Sequence, residues 1–245
     1  MRSISGKHIL AVFEDTFVLF MIWALWAVAV LVVGFLLALP FVQALRSLER
    51  SVLTLITNPA QIFMFVVGII TGVYIIQYYI RQGVTRRSSF CGMVLAGLAV
   101  AISIQVIGVL LTGFSILVEF VSPFQAGRAL IPYLGRSRGY LATIAISVSI
   151  HAAHFLMGWI IGFAFYRFRG LGGFAAILSG ILVLGALSMI WGHGGIISVN
   201  VGGEPVALIA ETFSPAVTLS LTTVLIAAQI MTLFLMVRNA PIKVQ

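Results

Sequence analysis

His151 and His154 are the side chains in this sequence best placed to do chemistry. Three residues apart on one helical stretch, they occupy neighbouring positions of a single face. Imidazoles so arranged can ligate a metal or a haem, or relay a proton. A zinc protease places its ligands around a glutamate in the pattern H-E-x-x-H. This stretch reads His-Ala-Ala-His, with no acid nearby. The plainer reading is a pair of neutral histidines hydrogen-bonded inside a helix bundle.

Gln105 and Glu119 are the main polar points on another apolar stretch. A polar group in a hydrocarbon setting is costly and often functional, so both, together with His151 and His154, are candidates for a substrate path or gate. Gln105 also has the simpler option of bonding a neighbouring helix, and Glu119 lies close enough to the end of its run to be hydrated. Trp191-Gly192-His193-Gly194-Gly195 is glycine-rich, but the chain has no G-x-x-x-x-G-K-[ST] loop and hence no P-loop nucleotide site of its own. It has no G-x-S-x-G either. The single cysteine, Cys91, excludes an internal disulfide and a multi-cysteine metal site.

The elements that must position these residues follow from composition. Hydrophobic residues make up 61% of the 245 and charged residues only 8%. Soluble domains carry roughly a quarter charged residues. A chain this poor in charge cannot cover a surface in water, so lipid is its solvent. The net charge of +8 comes from arginines at the ends of apolar runs rather than from one patch. That distribution fits membrane topology and anionic headgroups, not nucleic acid.

A span of the hydrocarbon core takes about 20 apolar residues. The expected fold class is therefore an all-α integral membrane protein with six transmembrane helices, over about 17–39, 60–80, 92–118, 141–166, 172–190 and 215–237, in one transmembrane domain covering 1–245. Residues 5–16 place Ile9, Leu10, Val12 and Phe13 roughly on one face, which predicts a short helix lying in the membrane interface. Trp23 and Trp26 fall inside the first span and are expected to pack on other helices. Asn58-Pro59 marks the restart after an external connection over 40–59. A second external loop is expected over 119–140. Residues 191–214 are read as an irregular external loop, with short re-entrant half-helices as the other option. Gly68 and Gly72, four apart, are read as helix-packing positions.

Six spans put both termini on one side. With that side cytoplasmic, nine cations (Arg2, Lys7, Arg81, Arg86, Arg87, Arg167, Arg169, Arg238, Lys243) face the cytoplasm against five outside (Arg46, Arg50, Arg128, Arg136, Arg138). Positive residues in short loops favour that orientation.

The stretch Gly83-Val84-Thr85-Arg86-Arg87-Ser88-Ser89-Phe90 after the second span, and Gly158-Trp159-Ile160-Ile161-Gly162 leading to Tyr166-Arg167-Phe168-Arg169-Gly170, carry a family likeness. Together with the span pattern they resemble the membrane subunit of a bacterial type 2, exporter-like ABC transporter. The resemblance implies a permease that is not itself an enzyme, in the bacterial plasma membrane. It implies an ATP-binding partner subunit that brings ATP and Mg, and a second permease subunit, identical or paralogous. It also implies a coupling segment at Gly83, Val84, Thr85, Arg86, Arg87, Ser88 and Phe90, with Arg86, Arg87 and Phe90 as the contact. Residues 191–214 would correspond to the external gate. A mostly apolar path points to export of a hydrophobic or amphipathic cargo such as a peptide or lipid. Two other readings stay open: a membrane-embedded haem or metal enzyme using His151 and His154, and a non-transporting membrane sensor subunit.

Overall fold

A computed structural model describes residues 2–38, 52–119, 140–191, 198–201, 204–207 and 215–238. Helix α1 spans Arg2–Ala38. Helix α2 runs from Val52 to Arg81 as an α-helix (Val52–Ile70), a π-helical turn (Thr71–Ile75) and a last α turn (Ile76–Arg81). Helix α3 is Arg86–Glu119, α4 is Tyr140–Ile190 and α5 is Pro215–Arg238. Two short strands, β1 (Ser198–Val201) and β2 (Glu204–Ala207), pair antiparallel. Among the described residues, five helices are long and apolar enough to cross a membrane.

Helix α4 is not one rod. Arg169 sits at φ 58°, ψ −149°, outside helical geometry, and divides it into α4a (140–168) and α4b (170–190). The halves fold back on each other. A Cβ on Gly180 would lie 3.0 Å from Ile161 and 3.2 Å from Met157, and Leu187 and Trp191 share a buried cluster with Ile146 and Ile150. Later residues of α4b thus meet earlier residues of α4a, which is the signature of an antiparallel pair.

The core seam lies between α2 and α4a, the most extensively packed pair. Two small-x-x-x-small patterns interlock there. A Cβ on Gly68 or Gly72 would run into the backbone of Phe155, Trp159 and Phe163, and one on Gly158 or Gly162 into the backbone of Phe65 and Ile69. Without aqueous hydrophobic drive, helices in lipid associate through such close backbone approach. The expectation for Gly68 and Gly72 holds. The Gly158–Gly162 stretch, one of the segments that carry the family likeness, is the other half of the same contact.

Several sequence expectations change. Helix α1 is continuous through residues 5–16, with no separate interfacial helix. Val12 packs where a Cβ on Gly92 would come within 2.8 Å of it, and Thr16 Oγ1 lies 3.0 Å from Tyr79 Oη, so this segment stands upright against α3 and α2. At ~1.5 Å per residue, α1 is long enough to leave the hydrocarbon before Lys7, so its charges need no turn to reach water. Asn58-Pro59 does not restart a helix; Pro59 lies inside α2. The first turn of α2 is held by α3 instead, the Leu53 N–H donating to Thr112 Oγ1 at 2.9 Å. Trp26 is 70% exposed and points away from the bundle, whereas Trp23 is partly buried against Phe20. Within 191–214, residues 198–201 and 204–207 pair as antiparallel strands rather than half-helices, and most of the rest of that segment lies outside the described residues. Most of the connections over 40–59 and 119–140 lies outside the described residues.

Candidate functional site

Two regions bring chemistry-bearing residues together: a basic end of the bundle and a polar layer far along the helices from it.

At the basic end, α2 closes and α3 opens within four residues. The Val84 N–H donates to Tyr79 O and the Gly83 N–H to Ile80 O, both at 3.1 Å, and Gly83 has φ 83°. This is a Schellman closure, in which glycine accepts the left-handed conformation without a Cβ clash. Thr85 then caps α3: its Oγ1 accepts from the Ser88 N–H at 3.2 Å and donates to Ser88 Oγ at 2.9 Å. The turn is built from local bonds throughout.

The proposed contact residues of this turn fare differently. Arg87 and Thr85 are exposed and Val84 is half-buried. Arg86 is half-buried and donates through Nη1 to Arg238 O at 3.0 Å, where it satisfies a C-terminal carbonyl of α5. Arg167 does the same for Met236 O at 2.6 Å. Ser88 and Phe90 are buried; Phe90 is 5% exposed, with ring centroids 5.4 Å from Trp159 and 5.8 Å from Phe234. Phe90 is therefore a core residue, and the reading of it as an anchor for a partner is corrected. It falls on the buried α3 stripe with Met93, Gly97, Val100 and Ile104, a three-and-four spacing visible in the sequence. The exposed cations at this end are Lys7, Arg81, Arg87, Arg169 and Arg238, from every helix of the bundle.

The polar layer begins at Gln105 on α3. Its Nε2 donates to His151 Nδ1 at 3.2 Å, and His151 Nε2–H donates to Thr57 O on α2 at 3.1 Å. Both ring nitrogens are thereby engaged and the ring is fully buried, so one neutral tautomer ties α3, α4a and α2 together. No nitrogen of His151 remains for a metal. One turn on, His154 Nδ1–H donates to Ile150 O at 2.8 Å, which leaves Nε2 as an acceptor. That ring borders a cleft of about 90 Å³ lined also by Gln61, Ile150, Leu184, Leu187, Ser188 and Trp191. Trp191 Nε1–H donates to Thr222 Oγ1 at 3.0 Å, and Gln229 Nε2 to Ala153 O at 3.2 Å, carrying the layer onto α5.

The two histidines thus have separate roles: His151 is a cross-brace and His154 faces a cleft. Among the described residues, no group of three or more His, Cys, Asp or Glu side chains is placed to hold a metal. Gln105 Oε1, Ser147 Oγ and Gln229 Oε1 are buried acceptors without a protein partner. An amphipathic cleft with a lone-pair nitrogen, an amide and a hydroxyl, and no charge, suits neutral hydrogen-bonding groups or water. Glu119 closes α3, and its side chain lies outside the described residues. Gln61, Ser188 and Gln229 were not singled out from the sequence. Each is a lone polar residue in an apolar run, which is the signal that would have found them.

Fold and composition define the class: a helical, multi-pass membrane protein. Compared with protein-family models, curated proteins and solved structures, the chain finds no match.

Proposed function

We propose that the chain is the membrane-spanning permease subunit of an ATP-driven ABC transporter, with a separate ATP-binding subunit docking on its basic end. The observation that carries this reading is the α2–α3 turn: a short, locally bonded connection with Arg87 exposed, at an end of the bundle where each helix presents an exposed cation. A rigid turn rooted in two long helices can pass a partner's displacement into the bundle, since packed interfaces switch between discrete arrangements. The docking contact is narrowed to Gly83, Val84, Thr85 and Arg87. Arg86 braces α5 from behind, and Phe90 belongs to the core.

In this reading α4a and α4b are separate spans, which would make six and put the start of α1 and the end of α5 on the basic side. The positive-inside rule makes that side cytoplasmic. The partner would supply ATP and Mg, and the transport path would lie between this chain and a second permease subunit. Export of a hydrophobic or amphipathic cargo is consistent with the uncharged polar layer. The haem or metal reading loses ground because His151 has both nitrogens occupied by protein groups.

The test is co-purification with any P-loop ATP-binding protein encoded beside this chain, comparing wild type with Arg87→Glu. The expected result is a stable complex for wild type and at least a tenfold loss for the variant. Equal recovery of both would move the docking site elsewhere. Failure of wild type to bind would remove the permease reading.

A further inference from the structure

We propose that the α4a–α4b turn and the outward face of α4b form a binding site for an anionic phospholipid, its phosphodiester on Arg169 and one acyl chain along the helix. Leu171, at 90% exposure, begins a stripe continued by Phe174, Leu178 and Leu182, all exposed and spaced three or four apart. Apart from the Phe165 ring, 6.1 Å from that of Phe174, nothing among the described residues packs on this stripe, and it rises directly from an exposed arginine. From Arg169 to Leu182 is about 20 Å at the helical rise. An occupant must therefore reach from headgroup depth well into the hydrocarbon. A lipid has that shape, and a soluble partner does not.

The charge at the foot selects the headgroup. Arg169 is free to present its guanidinium, because the neighbouring Arg167 is the one committed to Met236 O and to the Phe168 ring, 4.9 Å from its centroid. The bond to Met236 also holds the C-terminal turn of α5 at this turn, bringing the exposed Arg238 to the same end as a second cation. A guanidinium fork matches two phosphate oxygens, which a zwitterionic headgroup offers with its own cation already beside them. Half-exposed Phe168 supplies an aromatic at the interface. This site stands whether or not an ATP-binding subunit docks on the neighbouring turn.

The experiment is native mass spectrometry of the purified full-length chain in detergent, titrated with phosphatidylglycerol, with phosphatidylcholine and with inorganic phosphate. Wild type is expected to prefer phosphatidylglycerol about fivefold, the effect of one arginine at an anionic surface. Arg169→Gln and Arg169→Gly should both lose that preference. The second suits the backbone at this position, so a loss through misfolding would separate the two. Arg169→Lys should keep part of the preference. Lys7→Gln, on a helix that packs chiefly on α3 and α2, should keep all of it.

An equal loss in Lys7→Gln would overturn the site in favour of a diffuse field at the basic end. So would preference retained in Arg169→Gln. Phosphate alone competing off the lipid would make the ligand a free anion. A dimer that sheds lipid from the stripe would make the occupant a second copy of the chain.

Discussion

The two basic turns of this molecule sit at the same end of the bundle and are built on opposite plans. The α2–α3 turn places a glycine where φ is 83°, closes it with paired backbone bonds and caps the next helix with Thr85. Its aromatic residue, Phe90, turns inward onto Trp159 and Phe234. The α4a–α4b turn places an arginine at φ 58°, ψ −149°, a region that is comfortable only for glycine, although Gly170 is the very next residue. Its apolar residues, Phe168 and Leu171, turn outward. Local rules and tertiary packing agree at the first turn and conflict at the second. Such conflicts gather where a surface is kept for binding. On the two proposals above, the first turn would transmit a partner's displacement and the second would receive a lipid.

The largest effect that separates them is at the aromatics. Phe90→Ala removes a ring from a closed pocket and should cost about 3–5 kcal/mol. Phe168→Ala removes a half-exposed ring and should cost less than about 0.5 kcal/mol. Unfolding of both variants in mixed micelles, followed by circular dichroism, measures the difference. Similar losses would mean that Phe168 is as structural as Phe90, and the contrast between the turns would collapse.

A smaller and opposite pair lies in the backbone. Gly83→Ala forces a Cβ into the left-handed region and should destabilise by about 1 kcal/mol. Arg169→Gly relieves strain of the same kind and should stabilise by about 1 kcal/mol or slightly more, even as it removes the lipid-facing charge. The same unfolding assay reads both. Destabilisation by Arg169→Gly would show that the arginine side chain, not the backbone, holds that turn.

How far these turns were legible in the sequence depended on what each residue had to satisfy. The apolar runs announced the helices, because hydrocarbon leaves little choice. The antiparallel fold-back at Arg169 was legible as the gap between two runs. Gly68 and Gly72 announced a close contact but not its partner, since the pairing with Gly158 and Gly162 is set by three-dimensional register. Phe90 sits beside a basic loop, but its burial follows a helical periodicity that runs on through Met93 and Gly97. The continuity of α1 was hidden by Lys7, Glu14 and Asp15, which look like a boundary in sequence but lie on exposed positions of an overlong helix. The β1–β2 pairing does have a sequence signal: alternating Val199 and Val201, then Gly202-Gly203, then Val206. In the polar layer, the histidines stood out as types. Their partition into a brace and a cleft-facing ring depends on Thr57 O and Ile150 O, backbone atoms that no residue pattern names.

The finest test of the comparison is Thr85. If the first turn is rigid because each bond is local, then removing one cap should weaken it without disturbing the core. Thr85→Ala leaves the Ser88 N–H without its acceptor, and a lost N-cap costs about 1 kcal/mol. Thr85→Ser keeps the oxygen and should restore most of that loss. Hydrogen exchange of the first turn of α3 reads the effect directly, because a frayed turn exchanges sooner while α4 and α5 stay protected. Faster exchange confined to that turn would place the rigidity in the cap. Unchanged exchange would place it instead in the packing of Phe90 and in Arg86 against α5, and the turn would then transmit through the core.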